Sequence, residues 1–299
     1  MSRRADLTAC GGERCGYLGV MQFDLLDVFA SGSLTGNPLA VVRGGDALDS
    51  AQMLALTRWL GFSETTFVLP PTMDGADYRV RIFYPAGELP FAGHPTLGTA
   101  AAWLAAGGKP ARDGVIVQEC GVGLVEVRQE GETLAFRAPP LVRSGPLDPA
   151  DRAEAIRIAG VAEADVVAAV HANNGPDWHL LHLVSAQAVL AARPVPTAPI
   201  GTDVGLVGPW GEGHERQFEV RAFFADANGR LVEDPVTGSL NASVAQYLLG
   251  AGLTAAPGYR AGQGRSIGAD GHIDLAIDDS GIWVGGRVRI VARNATLTI

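Results

Sequence analysis

The sequence predicts an α+β chain of two pseudo-symmetric domains, each a β-barrel wrapped around a central α-helix. Three observations carry this expectation. Short apolar strands surround one helix rich in small residues in the first half; the same strand-then-helix order recurs about 140 residues later; and a composition of 47% hydrophobic and 18% charged residues over 299 positions suits a globular chain with two cores.

Residues 1–20, MSRRADLTACGGERCGYLGV, have no periodicity and read as an unstructured tail or a misassigned translation start. An alternating strand pattern begins at Met21. FDLLDVF and LAVVR flank the turn SGSLTGNP, residues 49–60 have helical period, and TTFVLP, YRVRIFYP and GVIVQECGVGLVEVRQ read as strands. In FAGHPTLGTAAAWLAAGG, Pro95 suits the first helical position, alanine dominates the residues after it, and Gly107 and Gly108 stop the helix.

The second half repeats this plan. At an offset of 140 without gaps, Val80, Arg81, Phe83, Pro95, Gly98 and Ala102 meet Val220, Arg221, Phe223, Pro235, Gly238 and Ala242. A duplicated fold is the simplest explanation, and small residues on most faces of HPTLGTAAAWLAAGG and DPVTGSLNASVAQYLLGAG suit helices enclosed by curled sheets. The Pro- and Gly-rich stretch 137–152 reads as the linker, giving domains of 21–137 and 138–281. The last strands, in residues 282–299, are candidates to return and complete the first domain.

A formal net charge of −9 argues against a nucleic-acid surface, and no apolar run approaches a membrane span or a signal peptide, so a cytoplasmic location is expected. Cys10, Cys15 and Cys120 are an odd number for a disulfide framework, and Cys10 and Cys15 have no second Cys or His pair to complete a zinc site. His179 and His182 in WHLLHL could share a helix face, but no third ligand lies at a matching spacing; GQGRSIG lacks the spacing and following helix of a dinucleotide loop. Neither metal nor nucleotide is expected.

The decapeptide GFSETTFVLP places a lone carboxylate, Glu64, among apolar, small and hydroxylic neighbours. Taken alone, it more often means a solvent-facing strand start. Two duplicated domains, however, can face each other across a cleft with both helix starts, and a helix start attracts anions through its free N–H groups and dipole. His94 and Asp234 would then be the N-cap residues, His94 being the more informative because histidine caps poorly. GFSET also distantly suggests a nucleophile elbow with Ser63, His94 and Asp234, but it lacks the closing glycine and has the wrong chain order.

DVFASGSLTGNPLAVV, GFSETTFV, ELPFAGHPTLGTA, EDPVTGSLNAS and VGGRVRI together resemble the phenazine-biosynthesis PhzF-like proteins, relatives of diaminopimelate epimerase, from Met21 to near the C-terminus. The resemblance implies two similar barrel domains with a site between them, cofactor-free proton transfer with Glu64 as acid and base, and His94, Asp234, Gly238 and Ser239 lining the substrate site. The epimerase relatives use two thiols at the corresponding helix starts, where this chain has no cysteine. It departs from the pattern in AGQGRSIGADGH, with Arg265 early and Ala269 and Asp270 later, and in Asn294 where glycine is common. A carboxyl shielded by Phe62, Phe67 and Val68 would have its charged form disfavoured, which suits that role.

The expectation is thus an isomerase shifting a proton on a small carboxylated carbon acid. The alternatives are a non-catalytic protein holding an anionic metabolite and, more remotely, a hydrolase. A homodimer is left open, and HANNGPDWHLL is expected to shape the pocket.

Overall fold

The computed structural model describes residues 21–297; the tail read into residues 1–20, with Cys10 and Cys15, lies outside them. The first half comprises β1 (Met21–Val28), β2 (Asn37–Arg43), α1 (Ser50–Leu60), β3 (Thr65–Leu69), β4 (Tyr78–Tyr84), β5 (Gly87–Leu89), α2 (Gly93–Ala105), β6 (Val115–Cys120), β7 (Gly123–Glu130) and β8 (Thr133–Arg137). The second comprises β9 (Arg143–Pro146), α3 (Pro149–Ala159), β10 (Val166–Asn173), β11 (His179–Leu183), α4 (Ala186–Ala191), β12 (Asp203–Pro209), β13 (Phe218–Ala225), β14 (Leu231–Asp234), α5 (Gly238–Gly250), β15 (Gly258–Gln263), β16 (Gly271–Asp278) and β17 (Gly281–Leu297).

Strands β1, β2, β3, β4, β6, β7, β8 and β17 close into a ring, with β2–β3 and β4–β6 parallel and the other neighbours antiparallel. Strands β9, β10, β11, β12, β13, β15, β16 and β17 follow the same plan, with β11–β12 and β13–β15 parallel. Helices α2 and α5 run inside these curled sheets. Leu97, Ala100 and Ala102 of α2 join Leu39, Val41, Ile116, Val127 and Phe136 in one core with Leu240, Ala242, Val244 and Leu248 of α5. Such helices need small residues, because strand backbone approaches from several sides. The architecture is α+β: two pseudo-symmetric barrels, each around a central helix.

Each sheet also buries its outer face. Met53 and Leu56 of α1 pack on Val42, Phe67, Leu69 and Phe83, while Ile158 of α3 and Val189 of α4 pack on Leu181, Leu183, Val204 and Leu206. The parallel pairs therefore read as nearly unbroken apolar runs, as expected of strands buried on both sides. Strand β17 serves both barrels: residues 281–285 pair with β16, 283–287 with β8, and its later residues with β1. Among the described residues no helix is long and apolar enough to cross a membrane.

The duplication is visible in side chains. Arg81 Nε donates to Glu88 at 2.7 Å across the β4–β5 hairpin, and Arg221 Nε donates to Glu233 at 3.0 Å across β13–β14. The offset of 140 holds for β4 and β13 but not for the helices. Tyr84 pairs with Gly87, whereas Phe224 pairs with Val232, so the second hairpin is five residues longer and α5 starts 145 residues after α2. Asp226 organises the longer turn by accepting from the N–H groups of Asn228 and Arg230. A gap-free comparison therefore misaligns Pro95 with Pro235, and Gly98 with Gly238: Gly93 is the true counterpart of Gly238. Pro95 is the third residue of α2, not the first.

Candidate active site

Helix α1 begins with a capping box between Asp49 and Gln52 and ends at Gly61, whose φ of 74° is the left-handed conformation that stops a helix. The chain then turns through Phe62, Ser63 and Glu64 into β3. Thr66 faces inward, accepting a hydrogen bond from Thr99 of α2 at 2.9 Å, and Val68 packs against the inner core. Glu64 shares their parity and aims at the start of α2. Phe67 has the opposite parity and packs edge-on against Phe83 under α1. The expectation that Phe67 shields Glu64 is therefore corrected: the two lie on opposite faces of the strand.

Neither His94 nor Asp234 is an N-cap. Ala92 caps α2 and Thr237 caps α5, without a side-chain cap bond in either case, and His94 and Ser239 are each the second helical residue. Asp234 ends β14, three residues before the α5 cap. The mistaken placement came from assigning the proline of each motif to the first helical position, where it commonly sits. Without side-chain caps, the N–H groups of Gly93 and His94 and those of Gly238 and Ser239 open the two helices. The starts meet at their glycines: a Cβ on Gly93 would lie 3.0 Å from Gly238 Cα, and one on Gly238 2.9 Å from Gly93 Cα. Two positive helix ends are thus held together by the absence of side chains.

Around this contact the structure gathers Glu64, His94 and Asp234. Glu64 Oε2 lies 3.4 Å from His94 Nε2, and neither of these buried atoms makes a hydrogen bond. Burial, reinforced by the charge of Asp234, pushes the Glu64 carboxyl up to about 8; Ser63 partly offsets the rise by hydrogen bonding. The carboxyl is therefore mainly protonated at neutral pH. Burial pushes His94 down to about 3, keeping its ring neutral. Asp234 is pushed up to about 6 by burial, against hydrogen bonds from Thr237 at 2.6 Å and Asn37 at 3.0 Å. The Glu64 side chain retains 17% exposure, which leaves solvent and small ligands a way in.

Ser239 accepts a hydrogen bond from Trp178 Nε1 at 3.3 Å through its hydroxyl and one from Asn174 Nδ2 at 2.9 Å through its carbonyl. Both partners belong to HANNGPDWHLL, which thus touches the start of α5. Ser63 donates to Asn37 at 3.3 Å, and Asp234 is held by Asn37 and Thr237, so Ser63, His94 and Asp234 do not assemble as a nucleophile relay.

Several residues of the site were not anticipated. Asn37, fully buried, reaches Ser63, His94, Asp234 and Val236. Gln263, also fully buried, accepts from Thr237 N and Asn241 Nδ2 and donates to Asp234 O and Thr237 Oγ1, fixing the approach to α5. Both stand in short motifs, TGNP and AGQG; the available signal was a polar amide bounded by small or apolar residues. Duplication also places Asp203 as the counterpart of Glu64, since Thr65 pairs with Phe83 and Val204 with Phe223. Burial pushes Asp203 up to about 6. His179 and His182 lie on a strand, three apart and so on opposite faces: His182 meets the Tyr247 hydroxyl at 3.1 Å and His179 the ring of His171. The shared helix face considered for them does not exist.

The family profile described as "Phenazine biosynthesis-like protein" matches residues 26–296. The chain belongs to this family. An uncharacterized isomerase of Pasteurella multocida is 33% identical over 89% of this chain and 90% of its own length. The trans-2,3-dihydro-3-hydroxyanthranilate isomerase of Pseudomonas fluorescens is 34% identical over 75% of this chain and 78% of its own. Among solved structures, a predicted epimerase from Pseudomonas aeruginosa superposes with a TM-score of 0.72 at 30% identity, covering 93% of this chain and 98% of that one. This phenazine biosynthesis-like protein is an enzyme of the isomerase class, of the PhzF-like type.

Proposed function

We propose that this isomerase moves a proton on a small carboxylated carbon acid bound where the two helix starts meet, with Glu64 as the proton carrier. The observation that carries the reading is a buried carboxyl, pushed up to about 8, that faces a neutral histidine at the contact of two uncapped helix N-termini. The free N–H groups of Gly93, His94, Gly238 and Ser239 suit a substrate carboxylate and the negative charge that spreads into it when a neighbouring carbon loses a proton.

The chemistry balances without an external redox partner. In its ionised form Glu64 takes a proton from one substrate carbon, breaking C–H and forming O–H while the freed electron pair spreads toward the substrate carboxylate. The resulting carboxylic acid gives the proton to a second carbon, where that electron pair forms the new C–H bond. His94, neutral, donates from Nε2 to the Glu64 oxygen when that oxygen is charged. Asp234 lies near enough to oppose that charge and keep the carboxyl basic. The relatives named as isomerases of a dihydro-hydroxyanthranilate act on a ring carrying a carboxylate, which agrees with the substrate class drawn from the helix starts.

The test is Glu64→Gln, assayed with carboxylated carbon acids, the dihydro-hydroxyanthranilate included, in heavy water. The wild type is expected to place deuterium on the carbon that accepts the proton, and the variant to lose turnover by roughly 10² to 10⁴ while substrate still binds. A variant of wild-type activity, or binding by the wild type without any proton exchange, overturns the reading; the second result would leave a binding protein for an anionic metabolite.

A further inference from the structure

We infer that Asn37 is a positioning residue that holds His94 as its Nε2–H tautomer, so that the one ring N–H of this histidine points at Glu64. The inference rests on the proposed role of Glu64 for its catalytic consequence, but not for its structural content.

Asn37 opens β2 and is fully buried. Which end of its amide faces the site is decided by its neighbours. The nitrogen lies 3.0 Å from Asp234 Oδ1 and 3.0 Å from the Val236 carbonyl oxygen, a carboxylate and a carbonyl that both accept. The amide oxygen lies 3.3 Å from the Ser63 hydroxyl, which can donate. Turning the amide over would set its oxygen against two acceptors, so the NH₂ group faces this cluster.

The same NH₂ group lies 3.3 Å from His94 Nδ1. With two hydrogens for three acceptors, the amide shares one of them with Nδ1; a proton on Nδ1 would face this donor and find no acceptor there, a buried arrangement that costs the ring a hydrogen bond. Nδ1 is therefore bare. Because burial keeps the ring neutral, its single proton sits on Nε2, 3.4 Å from Glu64 Oε2. The alternative tautomer would aim a lone pair at the carboxyl and favour its protonated form. The Nε2–H tautomer instead stabilises the carboxylate that takes the proton from the substrate.

Asn37 also joins the two halves of the molecule. It belongs to the first barrel, whereas Asp234 and Val236 lead into α5 of the second, so its orientation is set by hydrogen bonds that cross from one half to the other. Other charged or titratable groups facing His94 are Glu64 on the β3 approach and, through Asn37, Asp234 on β14. Glu64 meets Nε2 and not Nδ1, so neither competes for Nδ1 while the amide is in place.

The test reads the tautomer directly, without substrate. Protein carrying ¹⁵N-labelled histidine is studied by long-range proton–nitrogen spectra near pH 7, with the His94 signals assigned by their loss in His94→Gln. The expected result is an unprotonated Nδ1 and a protonated Nε2 for His94. In Asn37→Asp the new carboxyl beside Nδ1 is expected to draw the proton there or leave an imidazolium, and kcat to fall by roughly 10- to 10²-fold with KM within about threefold. A wild-type His94 protonated on Nδ1 overturns the inference even if the variant fails to fold. So does a folded Asn37→Asp protein that keeps both the Nε2–H signal and wild-type kcat. If the tautomer is as stated yet Glu64→Gln remains active, the role of Glu64 fails while the tautomer assignment stands.

Discussion

Replacing Glu64 by Gln should change how stability depends on pH, independently of any substrate. The folded protein holds this carboxyl at about 8, whereas a solvated glutamate titrates at 4.5. As pH rises above 4.5 the unfolded chain releases the proton and gains a hydrated charge, while the folded chain keeps it. The stabilisation belonging to the neutral carboxyl is fully present below pH 4.5 and is lost as pH climbs through about 8, above which both states are charged. At 1.36 kcal/mol per unit, the full displacement corresponds to about 5 kcal/mol; allowing for the 17% of the side chain still open to solvent, about 3 to 4 kcal/mol separates pH 5 from pH 9.

Asp234 overlaps this range, being pushed up to about 6, but it is present in both proteins and its contribution is mostly gone above neutrality. The interval from pH 7 to pH 9 therefore isolates Glu64, with a relative change of about 1 kcal/mol. Thermal unfolding of the two proteins in parallel between pH 5 and pH 9 makes the comparison. The Gln variant should lose less stability than the wild type as pH rises, with a gap in Tm that widens by several degrees, since about 1 kcal/mol moves Tm by a few degrees in a chain of this size. Parallel curves would refute the reasoning, because a carboxyl that ionises normally in the folded state has no such linkage. A folded state that stabilised the charged form would change the relative stability only below pH 4.5, and it too would leave the curves parallel over this range.

Two further outcomes are expected at the site. In Gly93→Ala the new methyl group would meet Phe136 Cζ at 2.7 Å and Gly238 Cα at 3.0 Å, so melting should show a loss of about 1 to 3 kcal/mol, and separation of the helix starts should weaken substrate binding, seen as a raised KM. Asp203→Asn should keep turnover within about threefold of wild type although Asp203 is the counterpart of Glu64, because the counterpart of His94 is Ser239, whose hydroxyl is engaged by Trp178; a loss comparable to that of Glu64→Gln in the same assay would make the site two-sided.

The barrels were legible because their signals are local and periodic. Apolar alternation marked most strands, small residues marked α2 and α5, and the repeated strand at Val80 and Val220 exposed the duplication. The helix register was not legible, since the five additional residues of the β13–β14 hairpin leave no mark in a comparison without gaps. That error moved Pro95 onto Pro235, and the separate assumption that each proline opens its helix turned His94 and Asp234 into caps.

The site divides along the same line. Glu64 stood out because a carboxylate is conspicuous beside TTFVLP, whereas the approach of Gly93 to Gly238 did not, because the gap-free register set Gly98 against Gly238. Asn37 could not stand out: its amide matters through Asp234 and Val236, nearly two hundred residues away, and nothing near TGNP states that these will lie 3.0 Å from it. Charge is read from one residue, whereas hydrogen-bond satisfaction is read only from an assembled set. The groups that sequence discloses here are therefore those proposed to carry the proton. Those it conceals, Asn37 and Gln263, act through the orientation of their neighbours, and they are where variation among relatives of this fold should alter rate without removing the chemistry.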